Sequence, residues 1–220
     1  FNMSISTLHP RRVAKSKEEG NVTPGGSPNQ KKKALWWPYA LTLRSHNFFE
    51  KNIDISKEEW NSRETSWDFT SNELIKHKSD SNLEIAYANF CDYWKEQHSS
   101  LHQNEEELNR LFINTYELEN ELTPEVDLKD ITILKNEAKI FDDELVFQAN
   151  EIMKQFISYA VGCMFGRYSL DQPGLILANQ GESIDQYLDQ VPNPSFMPDD
   201  DNVIPLLDGN WFPDDIVDRF

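Results

Sequence analysis

Between Gly26 and Gly162 the chain has no glycine, and between Pro38 and Pro173 its only proline is Pro124. So long a stretch without helix breakers commits most of the chain to helix. The most apolar part of the sequence closes this stretch. From Ile152 to Phe165 only Lys154, Gln155 and Ser158 interrupt the apolar residues, which fall on every helical face. A helix apolar all round belongs in a core or a membrane. The core run, Phe156 to Phe165, is well short of the ~20 residues that a bilayer span needs. The expectation is therefore a buried central helix within residues 141–171, with Asp142 and Asp143 as N-cap and acidic first turn. Gly162 and Gly166, four apart, would let another backbone approach one face.

The middle of the chain predicts further helices. Residues 57–60 read as a short helix, Trp67-Asp68-Phe69 as a capping loop with two aromatic anchors, and a second short helix begins near Thr70. From Asn82 to Tyr116, Leu83, Tyr87, Phe90, Trp94, Leu101, Leu108, Leu111 and Phe112 recur at helical intervals. They form a seam close to the coiled-coil period. Gln97 and Asn104 interrupt it, so a break near His98-Ser99-Ser100 is expected, with Asn104 capping a new acidic first turn. Thr123-Pro124-Glu125 ends the unit. Short strands are expected at 128–134, at 175–177 and at 203–207. Asp208-Gly209 signals a hairpin with 210–212, and Pro213 precedes a helix that starts at Ile216. The expected architecture is mainly α: a helical spacer bundle around a buried central helix, with a few short β-strands near the C-terminus.

Charge divides the chain. The net charge is -17, but residues 1–50 hold eight Lys/Arg against three Asp/Glu, a net of +5, and residues 51–220 carry -22. An acidic body repels phosphate backbones, so it is a poor DNA binder by itself. The exception is the amino-terminal segment. Lys31, Lys32 and Lys33 run directly into Trp36 and Trp37, and cations beside aromatics can hold phosphates while stacking bases. The same indoles could equally dock onto the core. Residues 10–33, rich in Pro, Gly and cations, read as a linker or long loop, and Leu41 and Leu43 as a short strand. The organisation expected is a basic linker at 1–50, a helical region at 51–140, and the central helix with acidic loop and hairpin at 141–220. Cys91 and Cys163 read as buried free thiols of a reducing cytoplasm. No signal peptide or membrane span is visible. Phe1 in place of an initiator methionine fits an excised fragment or a processed chain.

Candidate chemistry is sparse. His98 and His102 stand one turn apart but have no third metal ligand at useful spacing, which favours a solvated face. His9 and His46 have no metal-like spacing either. Asp127-Leu128-Lys129 matches half of a nuclease metal motif, without the upstream acid it requires. Asp199-Asp200-Asp201-Asn202 lacks the glycine and late glutamate of a calcium loop. Asn193-Pro194-Ser195-Phe196 resembles the Asn-Pro-Pro-Tyr/Phe loop with which adenine methyltransferases grip a flipped base. Ser195 replaces the second proline, and no strand or glycine-rich cofactor loop precedes it. It is not read as catalytic, and no catalytic, cofactor-binding or metal residue is assigned.

The segment Ile157-Ser158-Tyr159-Ala160-Val161-Gly162-Cys163-Met164-Phe165-Gly166-Arg167-Tyr168-Ser169-Leu170-Asp171 closely resembles a stretch of the PglX-type adenine-specific DNA methyltransferases of BREX phage-defence systems, relatives of fused methylase–restriction enzymes. Arg63 to Phe69, Asn104 to Phe112, Glu121 to Val126, Asp201 to Pro205 and Asp215 to Val217 resemble the same family in the same order. The resemblance implies methyl transfer from S-adenosylmethionine to the adenine amine of a defined DNA site in phage defence or restriction-modification. It places the cofactor and catalytic loops outside this chain, which would itself bind no cofactor. These residues would be a non-catalytic helical spacer between catalytic and target-recognition parts. The implied partners are the rest of the methyltransferase chain, double-stranded DNA and other defence subunits, with no membrane. Lys31, Lys32, Lys33, Trp36 and Trp37 would be the DNA contacts. The competing expectation is an independent acidic interaction module, or a mimic of DNA charge.

Overall fold

The computed structural model describes residues 28–79, 82–206 and 215–219, with side chains described from residue 45 onward except Asp218. The fold is mainly α. Helices α1 (Pro28–Asn61), α2 (Glu73–Lys76) and α3 (Leu83–Tyr116) precede a 3-10 turn at Leu128–Asp130. Strands β1 (Ala138–Phe141) and β2 (Glu144–Phe147) follow, then α4 (Ala149–Met164), α5 (Ile184–Gln190) and α6 (Ile216–Arg219). The chain divides into two units after Ala40. The first contributes the opening turns of α1, residues 28–40. The second contains every other described element.

Helix α3 is central to the second unit. Asn82 caps its start, the side-chain oxygen accepting from the Glu84 N–H at 2.8 Å, and Glu117 ends it in the left-handed conformation, φ 56°. The expected break near His98 does not occur. His98 is buried and occupies the seam position between Trp94 and Leu101, so the polar residue interrupts the apolar pattern without interrupting the helix. Asn104, expected to cap a new helix, instead donates to the Asn52 side chain at 2.8 Å. Trp94 has no exposed surface, and it packs with Phe90, Leu101, Ile55 and Leu74. Its indole N–H donates to the Glu73 carboxylate at 3.3 Å. Asn72 caps α2 through the Leu74 N–H at 3.0 Å. Burial alone would raise the Glu73 carboxyl, but the bonds from His77 and Lys76 outweigh it and hold the group below its ordinary value.

A second buried polar cluster ties α1 to the chain beyond α3. Arg63 pairs with Glu59 one turn before it and lies 3.7 Å from Glu137. Glu59 also accepts from the Leu134 N–H at 3.0 Å. Leu134 has φ 59°, an uncommon conformation for a leucine, and that bond pins it. Glu137 accepts from the Gln155 side chain of α4 at 2.6 Å.

Several expectations are corrected here. Residues 28–50 are helical rather than a loop, and Leu41 and Leu43 lie in α1 rather than a strand. Proline is well tolerated at the first helical position, where Pro28 stands. The strand pair is not near the C-terminus but before α4, in antiparallel register Ala138 to Phe147. Asp142 and Asp143 form its turn, with φ 47° and 58°. They do not cap the helix, which starts at Ala149. Paired positive φ values are the geometry of a tight hairpin turn, and aspartate tolerates them. Residues 128–134 make a 3-10 turn followed by the buried Ile131 and Ile133. Residues 175–177 and 203–206 are irregular, and the hairpin expected at 203–212 falls mainly outside the described residues.

The apolar helix α4 is not buried all round. Ile152, Tyr159, Cys163 and Met164 face inward, while Ile157 is half exposed and Phe165 also reaches the surface. Neighbouring layers cover only one side of it, so its composition overstated its burial. Trp94→Ala should therefore cost about 3–5 kcal/mol, a buried indole lost with its cavity. Ile157→Ser, in the more apolar segment, should stay within about 0.5 kcal/mol of the parent. Urea unfolding followed by circular dichroism distinguishes the two.

Candidate interaction site

The residues singled out for chemistry fall into three groups. Lys31, Lys32, Lys33, Trp36 and Trp37 lie along α1, but their side chains fall outside the described residues, as does His9. Lys32 and Lys33 precede Trp36 and Trp37 by four residues, about one helical turn.

A second group is absorbed into packing or local pairing. His46 pairs with Glu50 on the exposed surface at 3.0 Å. His98 is buried rather than solvated, and burial, then the neighbouring His102, holds it below the ordinary histidine value. His102 turns away to Val126, its Nε2 lying 2.7 Å from the carbonyl oxygen. The two do not form an open metal face. Asp127 and Lys129 pair with each other on the surface of the 3-10 turn. Both thiols are free, Cys91 half-buried and Cys163 buried. Burial pushes Cys163 up to about 11, against the lowering effect of its bond to Tyr159.

The third group meets on one side of α4. Asp199 is buried and takes the Arg219 guanidinium of α6 at 2.6 Å, while its backbone N–H donates to the Met164 carbonyl at 2.7 Å. Burial would raise its carboxyl, but the Val203 N–H, Asp201 and Arg219 together hold it below the usual range. Asp199, Asp200 and Asp201 are the one group of three potential metal ligands among the described residues, and the first of them is already committed to Arg219. In the loop before them, Ser195 donates through both N–H (2.7 Å) and hydroxyl (2.8 Å) to Asp171. That bond swings Phe196 onto the cluster of Phe69, Tyr159, Cys163 and Tyr168.

These elements enclose a groove of about 160 Å³. Ala160, Cys163, Met164, Leu170, Phe196 and Arg219 are among its lining residues. Tyr168 packs against Tyr159 and Cys163 of the lining. The expected close approach at Gly162 is made by the Tyr168 ring rather than by another backbone: a Cβ there would sit 2.5 Å from the ring. Tyr168 in turn stacks on Tyr159, ring centres 5.2 Å apart. At Gly166, φ is 70°; its N–H donates to the Cys163 carbonyl at 3.0 Å, turning the chain out of α4, and its carbonyl accepts from the Leu177 N–H at 3.2 Å. Nothing in the sequence marks the groove, because its lining comes from residues 75, 156–170, 196 and 219. A larger polar notch of about 390 Å³ lies between α1 and α3. One of its lining residues, Asn104, is the donor to Asn52.

Known proteins resemble this chain over most of its length. It is 37% identical over 177 residues to the adenine-specific methyltransferase PglX of Lacticaseibacillus casei. It is 33% identical over 177 residues to the adenine-specific methyltransferase BrxX of Escherichia coli O9:H4. The chain is a relative of the PglX-type methyltransferases. The matches cover 78% and 77% of the chain but only 13% and 14% of the two relatives. No protein-family model matches the chain. Among the described residues no helix is long and apolar enough to cross a membrane.

Two measurements test this geometry. Gly162→Ala should cost about 1–3 kcal/mol by overpacking against Tyr168, read as a lowered thermal midpoint. His98 takes up a proton more readily in the unfolded chain, so stability is full above its ordinary value of 6.5 and falls as pH drops through 6.5 towards the folded value. His98→Leu should remove that part of the fall, seen by comparing urea midpoints at about pH 7.5 and about pH 5.

Proposed function

We propose that the chain is a non-catalytic helical region of a longer adenine-specific DNA methyltransferase. The observation that carries this reading is the similarity to PglX and BrxX over 177 residues, in a segment whose folding is dominated by helix packing. The one loop that resembles a methyltransferase motif, Asn193 to Phe196, uses its aromatic ring to wall a groove and its serine to hold Asp171. The parent enzyme would transfer the methyl group of S-adenosylmethionine to adenine in double-stranded DNA, in bacterial cytoplasm, as part of phage defence or restriction-modification. This region would hold the catalytic part at a fixed distance from target recognition. Residues 1–50 would act as a basic arm, 51–140 as the helical spacer, and 141–220 as the part built on α4.

In this reading Lys31, Lys32, Lys33, Trp36 and Trp37 make the DNA contact that the acidic remainder cannot. A second reading, an acidic interaction module that stands alone, draws on the net charge of -22 in residues 51–220. Calorimetry separates cofactor binding from scaffolding: the 220-residue chain should give no heat with S-adenosylmethionine, and a micromolar Kd would overturn the proposal. Replacing Lys31, Lys32 and Lys33 together by alanine should weaken duplex binding. It should also lower the slope of log K against log salt by about 2–3, three phosphate contacts at about 0.9 each. An unchanged slope would remove these lysines from the interface.

A further inference from the structure

The β1–β2 hairpin leaves one of its edges open. Its register runs without a bulge from Ala138 opposite Phe147 to Phe141 opposite Glu144. The Gln148 N–H donates to the Glu137 carbonyl at 2.7 Å. In an antiparallel pair, hydrogen-bonded and non-hydrogen-bonded positions alternate. Glu144, Val146 and Gln148 therefore turn their backbone groups towards β1, and Leu145 and Phe147 turn theirs away. Among the described residues no group bonds the N–H or carbonyl of Leu145 or Phe147. The opposite edge is shorter, because the Ala138 N–H is taken by the Leu134 carbonyl at 2.9 Å. Edge strands are ordinarily blunted by lysine, proline or a bulge. Strand β2, Glu144-Leu145-Val146-Phe147, has none of these. On the outer face Val146 is exposed, as is Phe141 diagonally across on β1. The turn end is acidic: Asp142, Asp143 and Glu144 are all exposed, and Lys139 is the one cation in residues 138–147. Lys129, which Asp143 attracts, is already paired with Asp127.

We infer that β2 accepts a third strand: an extended segment of a partner protein, apolar along its length and ending in lysine or arginine beside the turn. Open N–H and carbonyl groups on alternate residues, about 6.8 Å apart, are matched by the backbone of another strand. Strand addition to such an edge is a recurrent mode of peptide recognition. Antiparallel pairing is the more stable arrangement. It sets one partner residue opposite Leu145 and another opposite Phe147, each exchanging two hydrogen bonds. The residue between them lies beside Val146, where a β-branched side chain extends the apolar outer face. The next residue lies opposite Glu144, where a cation is favoured. An antiparallel strand runs with its carboxyl end towards the turn, so its basic residues belong at that end. A second copy of this chain brings like charge instead, since each carries -17. A nucleic acid has no peptide groups to complete the ladder, and its phosphates would meet three carboxylates. The inference stands independently of the methyltransferase reading, since it rests on the hairpin alone.

A capped peptide tests it against the full 220-residue chain by fluorescence anisotropy and amide exchange. The peptide carries valine, isoleucine and valine in succession, then two lysines, with threonines at both ends. Bound peptide should slow amide exchange at Leu145 and Phe147 and leave Val146, already bonded to β1, unchanged. Methylating the two valine nitrogens, which face Leu145 and Phe147, should weaken binding at least about tenfold; methylating the isoleucine nitrogen between them should change it less than about twofold. Moving the lysines to the amino end should weaken binding about tenfold, and so should Glu144→Lys at its exposed position. The methylated peptides leave the protein untouched, so their result does not depend on how a variant folds. No binding tighter than about 1 mM, or exchange slowed only at other amides, would overturn the proposal. So would equal weakening by the two methylation patterns, or equal affinity for the two lysine placements. Self-association of the parent chain that Val146→Lys abolishes would make a second copy the occupant, and would also overturn it.

Discussion

Trp94 and Glu73 meet in the interior of the second unit, and much else follows from their contact. A buried indole needs an acceptor for its N–H, and a buried carboxylate needs donors or cations. Each supplies part of the other's requirement, with Lys76 and His77 completing the set around Glu73. The four-residue helix α2 could not persist alone, because so short a helix is unstable without tertiary support. The Asn72 cap and the Glu73 contacts fix it against α3. Removing Glu73's partners one at a time would leave a charge in an apolar setting, which costs more than the pair gains. The register of α2 on α3 is thereby set by polar chemistry inside an otherwise apolar cluster.

The Glu59, Arg63 and Glu137 cluster has a comparable role one layer away. It joins the end of α1 to the turn at Leu134 and, through Gln155, to α4. The hairpin that follows uses its alternation in the usual way: Ala138, Ile140, Leu145 and Phe147 form the inner face, and Lys139, Phe141, Glu144 and Val146 the outer. Leu145 and Phe147 pack against the main core. The orientation of α4 is fixed at its start by this hairpin and at its end by the ring of Tyr168 against Gly162. A helix held at both ends buries one face and leaves the other open, which is how so apolar a segment comes to border a solvent-exposed groove.

The parts of the fold legible in the sequence were those with local causes. The ends of α3 could be read from Asn82 and from the last apolar seam residue, the start of α6 from its position after Pro213, and α2 from the cap-rich stretch near Thr70. The misreadings have tertiary causes. His98 sits in a seam position because its neighbours accommodate a neutral imidazole, which periodicity does not reveal. Asp142-Asp143 serves equally as a helix cap or a hairpin turn, and only the pairing of Ala138–Phe141 with Glu144–Phe147 decides between them. Of the two aromatic anchors expected near α2, Phe69 is buried and Trp67 is fully exposed, a difference set by which side of the turn faces α4. The groove was invisible for the same reason: four distant segments make it.

Charge then limits what such a region can contribute to a DNA enzyme. A net of -22 over residues 51–220 makes a long-range field that disfavours DNA along this surface, and salt screens it only beyond about 8–10 Å. On the proposed reading, that repulsion has a use: it keeps DNA away from the scaffold and leaves contacts to the basic arm and to other parts of the enzyme. A 34-residue helix such as α3 spans about 50 Å at 1.5 Å per residue. Few other elements hold two ends of a protein at so fixed a separation. On that reading acidic surface and long unbroken helix would serve one requirement, the first by excluding DNA from the spacer and the second by fixing the distance between the parts that bind it.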